Sequence, residues 1–224
     1  MTRFSKTEMS KASKTLRTNI RNSKGYLSYL TMTDMTGKKH KLTKGEYMGL
    51  FEAQNIFLMK HGRSPNYVTL NSTASNPLVM DYQDKSTTCG PTSLSMAIQC
   101  LFSYVSEQKC ASVCHTGANG TSPSNLINGA KSLGYKLTQI SRNKTAVKSA
   151  LNKAEPVIAH IQTKPATCLG YTGDYGHYIL IYGLTKNGEY RIADPTKGIK
   201  LCKADIIDSA TNGRALHYYR VGLL

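Results

Sequence analysis

Tryptophan is absent from this 224-residue sequence, acidic side chains are scarce, and no apolar run reaches 18 residues. The first absence decides little, because tyrosine is frequent, with 14 copies. The missing apolar run excludes a transmembrane helix. The N-terminus, MTRFSKTEMSKASK, has no apolar segment of the kind that marks a secretory signal. Synthesis in the cytoplasm is therefore expected, with any target outside reached by lysis or another route. No internal repeat of solenoid type is legible, and neither a zinc finger nor an RNA-binding signature accompanies the basic residues.

Scarcity of acid is matched by abundance of base. Against 13 Asp and Glu stand 29 Lys and Arg, a net charge of +16. Residues 1–72 hold 13 of the basic and 4 of the acidic side chains, so the excess is concentrated towards the N-terminus. Such a balance favours polyanions: nucleic acid, anionic lipid or an acidic cell-wall polymer. With 40% hydrophobic residues the chain can bury a core in one or two domains.

The six cysteines are Cys89, Cys100, Cys110, Cys114, Cys168 and Cys202. Without a signal peptide they are read as free thiols. Cys110-x-x-x-Cys114-His115 fits no standard zinc spacing and no second ligand pair follows, so no metal site is expected.

The Ser/Thr/Asn/Pro cluster over residues 69–81 divides the chain into 1–72 and 73–224. In the first part, a polar helix is expected in KTEMSKASKTLRTNI and two short strands around Thr36-Gly37. A helix follows with Tyr47, Leu50, Phe51, Gln54 and Leu58 on one face and Gly62 as its stop. In the second part, Leu94, Ile98, Leu101 and Val105 recur at helical spacing. A second helix opens at Ser122-Pro123 and stops at Gly134, and KTAVKSALNKAE forms a third. YKLTQI is a short strand, and PVIAHIQ, HYILIYGL, YRIADP and ALHYYRVGLL have strand character. Helices followed by a strand meander indicate an α+β domain with helices packed on an antiparallel sheet.

Cys89 stands just before the first helix of this second part, where the partial positive charge of a helix N-terminus favours a thiolate. A nucleophile also needs a base, oriented by a third group. Among six histidines, His177 opens a strand after a polar loop, whereas His160 lies mid-strand. If the strands of His177 and Asp194 are hairpin neighbours joined at Asn187-Gly188, the two side chains share one end of the sheet. Gln83 can present an amide to a developing oxyanion together with the Cys89 backbone N–H. Asp174, three residues before His177, is the competing third group, and Tyr171 and Tyr175 flank the histidine loop.

Gln-x5-Cys-Gly, then His, then Asp-Pro-x-x-Gly resembles the papain-like peptidases that include the bacteriocin-leader-processing group, over about residues 78–224. Cys89, His177, Asp194 and Gln83 each fall on a matching position, which implies a papain-like fold with a Cys–His–Asp triad. In the N-terminal part, Gly62, Arg63, Pro65, Asn66, Tyr67 and Val68 are similar to the pseudomurein-binding repeat of methanogen wall proteins, in a single copy. The pair of features resembles the viral pseudomurein endoisopeptidases. That resemblance implies a small α/β wall-binding region with Arg63, Asn66 and Tyr67 as wall contacts. It implies a lysin made in the host cytoplasm that cuts Ala–Lys ε-isopeptide links during lysis. Its partner is pseudomurein, whose carboxylates suit a basic protein. It implies no nucleic acid, no membrane insertion and a monomer. No cofactor is required, although the family leaves room for stimulation by divalent cations such as calcium. The alternatives are a papain-like peptidase or transferase acting on another peptide, and a non-catalytic basic binder of wall polymer or nucleic acid. Exporter-type processing peptidases continue into membrane and ATPase domains, which are not seen before Leu224.

Overall fold

Two helices organise the first seventy residues, and the start of each is legible in side-chain caps. In α1 (Lys6–Arg21), the Ser5 hydroxyl accepts from the Glu8 N–H. Met9, Ala12, Leu16 and Ile20 then recur every three to four residues and are all buried, so the helix is amphipathic rather than polar all round. In α2 (Lys44–His61), Thr43 and Glu46 form a reciprocal capping box, and Gly62 ends the helix at φ 63°. Tyr47, Leu50 and Phe51 are buried as their spacing implies, while Gln54 and Leu58 are half-buried and Asn55 takes an interior place. Strands β1 (Arg3–Ser5) and β4 (Tyr67–Thr69) pair antiparallel. Strands β2 (Tyr29–Thr33) and β3 (Lys39–Thr43) form the expected hairpin. The computed structural model describes residues 2–22, 24–70, 78–211, 214 and 216–224. The expected linker and domain boundary fall largely on 71–77, outside the described residues.

The remainder is one six-stranded antiparallel sheet with helices on both faces. Its strands are β5 (Tyr135–Ile140), β6 (Val157–Gln162), β7 (Gly176–Leu184), β8 (Glu189–Asp194), β9 (Gly198–Lys203) and β10 (Tyr218–Leu223). Their order across the sheet is β5-β10-β6-β7-β8-β9. Strands β6 to β9 are a meander, and β10 returns to lie between β5 and β6. Side chains alternate between two interiors. Ile158, Tyr178, Leu180 and Ala193 face α3 (Cys89–Cys100) and α5 (Pro123–Ser132). Ala159, Ile179, Ile181 and Ile192 face α6 (Lys144–Asn152) and α7 (Ala204–Asp208). The helix α4 (Glu107–Val113), the strand β9 and α7 are elements beyond those expected from periodicity. Helix α3 also ends sooner than its apolar pattern suggests: Val105 lies in the loop that follows.

That early end serves packing. Phe102, just past the helix, adopts φ 60°, an uncommon conformation for a bulky residue. Its ring is thereby placed among Tyr26, Tyr47 and Phe51, with centroids 5.7, 6.0 and 5.0 Å away. The Ser13 hydroxyl donates to the Phe102 carbonyl at 2.7 Å. The side chains of α1 and α2 thus join those of α3 and α5 in one buried cluster. Replacing Phe102 by alanine should cost about 3–5 kcal/mol of stability. Urea unfolding would measure it, and a change within a few tenths of a kcal/mol would show that the aromatic junction contributes little.

Candidate active site

Cys89 is the first residue of α3, and the residue before it leaves the helix end open. Thr88 sits at the cap position but its side chain makes no cap. Its hydroxyl is occupied instead by Lys85, accepting from the amide at 3.1 Å and donating to the carbonyl at 2.9 Å. The first-turn backbone donors are therefore left to other acceptors, and Pro91 adds none of its own. Gly90 lets β7 approach closely: a Cβ there would lie 3.3 Å from the Tyr178 ring. The thiol of Cys89 is partly accessible. Burial works against its ionisation. A hydrogen bond and the charge of His177, with the backbone amides of Tyr178 and Gly90, outweigh that and hold its pKa below the ordinary thiol value.

His177 lies at the start of β7 and is 3% exposed. Its Nε2–H donates to Asp194 Oδ1 at 3.1 Å, and the Nε2 also lies 3.1 Å from the Tyr171 hydroxyl. With Nε2 so engaged, Nδ1 is the nitrogen left for Cys89. Burial disfavours the charged ring, but the hydrogen bonds and charges of Asp194 and Cys89 prevail and raise its pKa to about 9. At neutral pH the geometry favours a thiolate beside an imidazolium.

Asp194 closes β8 and is fully buried. Besides the imidazole it accepts from the Tyr171 hydroxyl at 2.8 and 3.0 Å and from the amides of Thr196 and Lys197 at 2.8 and 3.1 Å. Burial raises its pKa, yet His177, the Thr196 amide and Tyr171 together hold it below the usual carboxylate value. A buried carboxylate with this many donors stays charged. Asp174, the competing carboxylate, is exposed in the loop before β7, and the carboxylate bonded to the imidazole is Asp194. Tyr171 is the residue whose part in the site spacing alone left open. Lys197 Nζ lies 5.0 Å over its ring, a cation–π contact.

The β8–β9 turn also carries Gln83 to this end of the sheet. The Gln83 N–H donates to the Pro195 carbonyl at 3.0 Å, and its side-chain Oε1 accepts from the Thr196 hydroxyl at 3.0 Å. One Nε2 hydrogen is given to the Lys85 carbonyl at 2.8 Å, leaving the second amide hydrogen for a ligand. The Asp84 N–H donates to Glu107 Oε1 at 2.9 Å, and Gln108 bonds the Asp84 carboxylate, so the loop before Cys89 is tied to α4.

One cysteine expectation is overturned. Cys168 and Cys202 form a disulfide, with Cα atoms 5.7 Å apart, so the all-thiol reading holds only for Cys89, Cys100, Cys110 and Cys114. The two partners are 34 residues apart, and only the docking of a short 3-10 turn (Thr167–Leu169) beside β9 brings them together. Cys100, Cys110 and Cys114 are buried, and burial raises their pKa values, to about 12 for Cys100 and Cys114. His160 stacks on Tyr178 at 4.3 Å, and burial lowers its pKa to about 4. Among the described residues no three His, Cys, Asp or Glu side chains converge to hold a metal ion. No described helix is long and apolar enough to cross a membrane.

The N-terminal motif divides by exposure. Pro65 and Val68 are buried, while Arg63, Asn66 and Tyr67 face solvent. Arg63 lies over the Phe57 ring at 5.3 Å, and Arg3 over the Tyr67 ring at 4.6 Å. The Asn66 carbonyl accepts from the Lys6 N–H at 3.0 Å, leaving its side chain outward.

Iodoacetamide should label Cys89 before any other thiol, because it alone combines access with a stabilised thiolate. In Asp194→Asn the carboxylate that raises the His177 pKa is gone while burial remains. The imidazole should then titrate clearly below the wild-type value of about 9, as followed by proton NMR of the ring. An unchanged titration, or prior labelling of another cysteine, would break the proposed linkage of the three groups.

Residues 77–218 match the profile of the Peptidase C39 family. The peptidase domain of Streptococcus ComA, described as a bi-functional ABC transporter involved in a quorum sensing pathway, aligns with a TM-score of 0.50 at 20% identity. The alignment covers 65% of this chain and 98% of that one. A double glycine motif protease from an AMS/PCAT transporter, solved with a leader peptide, aligns at 0.48 and 18% identity over 64% and 91% of the two chains. The peptidase domain of Streptococcus mutans ComA aligns at 0.43 and 19%, over 63% and 97%. No curated protein matches the sequence. The helices packed on an antiparallel sheet are thus the fold of that domain, and the chain belongs to the Peptidase C39 family of cysteine peptidases.

Proposed function

We propose that the protein is a cysteine endoisopeptidase that cuts the Ala–Lys ε-amide cross-link of pseudomurein. The observation that carries the chemistry is the hydrogen-bonded line from the half-accessible Cys89 through His177 to the buried Asp194. What supports the substrate is the resemblance of residues 62–68 to a wall-binding repeat, with Arg63, Asn66 and Tyr67 facing solvent, and a charge of +16 suited to a carboxylate-rich wall.

In this reading the Cys89 thiolate attacks the carbonyl carbon of the isopeptide bond. The oxyanion that forms takes the free Nε2 hydrogen of Gln83 and the Cys89 backbone N–H. His177 gives its Nδ1 proton to the departing lysine ε-amine as the C–N bond breaks, leaving a thioester on Cys89. Water then attacks the thioester. His177 takes its proton, the carboxylate product leaves, and the thiolate–imidazolium pair is restored. Asp194 and Tyr171 hold the ring in the tautomer and plane that both transfers need.

Purified pseudomurein incubated with the protein should release new amino groups, and Cys89→Ala should reduce the release by at least about a thousandfold. Intact walls with release from an unrelated soluble peptide would leave a C39 peptidase of different substrate and sink the wall reading. The ion pair exists above the lowered Cys89 pKa and below the raised His177 pKa. Activity on a soluble peptide should therefore rise as the thiolate forms and fall as pH passes about 9. Residual activity should decrease in the order wild type, Asp194→Asn, Asp194→Ala, His177→Ala. An active His177→Ala would overturn the assignment of the base.

A further inference from the structure

Helix α3 and strand β7 each have two ends. One end of each carries the Cys89–His177 pair. At the other lies a cleft of about 770 Å³, lined by Cys100 from the last turn of α3 and by Tyr182–Leu184 from β7. Twelve helical residues separate the two ends, a distance of about 16 Å. The cleft is closed on one side by the N-terminal part of the chain, through Tyr26 and α2, and on the other by α6.

Its lining is chemically one-sided. Four lysines border it: Lys44 at the start of α2, Lys144 and Lys148 one turn apart on α6, and Lys186 in the β7–β8 turn. No Asp or Glu lines it. None of the four lysines is ion-paired among the described residues, and Lys44 has only the Tyr26 ring, 4.3 Å away. Burial also lowers the Lys44 pKa, which marks a cation partly withdrawn from water with no anion to compensate it. The carboxylates of Glu189, Asp205 and Asp208 belong to an adjoining groove that shares Lys144. A break in the β7–β8 register between Ile181 and Gly183 coincides with the place where Tyr182 joins the floor.

We infer that this cleft is an accessory site for a carboxylate-bearing strand of the polymer substrate, a reading that rests on the acidic-wall assignment above. Converging, unpaired ammonium groups over a partly apolar floor fit a chain that alternates charge with apolar surface. Arginine, the residue of planar bidentate recognition, is missing from the lining. The two tyrosines of the lining, Tyr26 and Tyr182, are only half-exposed, and Lys44 lies 4.3 Å over the Tyr26 ring, which leaves little open aromatic face for stacking nucleic-acid bases. A strand held here, by an element shared between the N-terminal part and the catalytic sheet, would be retained while a neighbouring cross-link is presented to Cys89.

The test is a titration of the full chain with penta-L-glutamate at low salt, followed by amide NMR. Shifts should concentrate at residues 44–48, 144–152 and 182–188. Lys148→Gln/Lys186→Gln should weaken binding about tenfold. Lys131→Gln/Lys136→Gln, which removes the same charge from exposed positions outside the cleft, should change it less than about twofold. Equal weakening by both pairs, or shifts spread over the whole basic surface, would reduce the cleft to general electrostatics and overturn the proposal. Tighter binding of a short oligothymidylate at the same amides would overturn it in favour of a nucleic-acid site. If glutamate peptide maps to the cleft while pseudomurein stays intact, the wall reading fails and the anion site stands. If walls are cut and the cleft amides do not shift, only the accessory site fails.

Discussion

A single buried carboxylate organises the candidate site. Asp194 accepts from an imidazole, a phenol and two backbone amides, and each donor fixes a different piece of chain. The amides of Thr196 and Lys197 set the turn between β8 and β9. That turn in turn receives Gln83, so the loop leading to Cys89 is registered against the same carboxylate. Tyr171 ties in the loop before β7, and the disulfide three residues earlier moors that loop to β9. Removing the charge would leave several donors unpaired in a dry interior, which is why the network is expected to act as a unit.

The helix and strand that carry Cys89 and His177 also transmit position. Their opposite ends meet the N-terminal part of the chain, where Phe102 packs among three aromatic rings. The strained φ at Phe102 is tolerated because the ring's burial there outweighs it, a local conflict resolved by tertiary packing. Side chains of the N-terminal part and of the helix and strand that carry Cys89 and His177 therefore share one packed cluster. The lysine-lined cleft lies where these two parts meet.

Much of the architecture was legible locally because its causes are local. The Thr43–Glu46 box, the Ser122 cap before Pro123 and Gly62 at positive φ act within four residues, so their sequences announce helix ends. The near-continuous apolar runs in PVIAHIQ and HYILIYGL report two buried sheet faces. β9 was invisible for the opposite reason: it is an edge strand whose Ile199 and Leu201 point to solvent, so its apolar period does not mark a core. The short helices α4 and α7 carry too few turns for periodicity to register.

Sequence by itself determined the family of arrangements: the order Gln83, Cys89, His177, Asp194, the hairpin that returns Asp194 beside His177, and the excess of positive charge. Those depend on residue type and on spacing within one hairpin. Tertiary structure alone decided which thiols are joined, since six cysteines allow many pairings and only the docking of the 3-10 turn on β9 selects Cys168 with Cys202. It decided that Tyr171 reaches Asp194, across 23 residues and a loop with no regular period. It also decided that four lysines from three separate segments border one cleft without a carboxylate among them. Contacts of that kind arise from how elements pack in space, and no pattern along the chain encodes them.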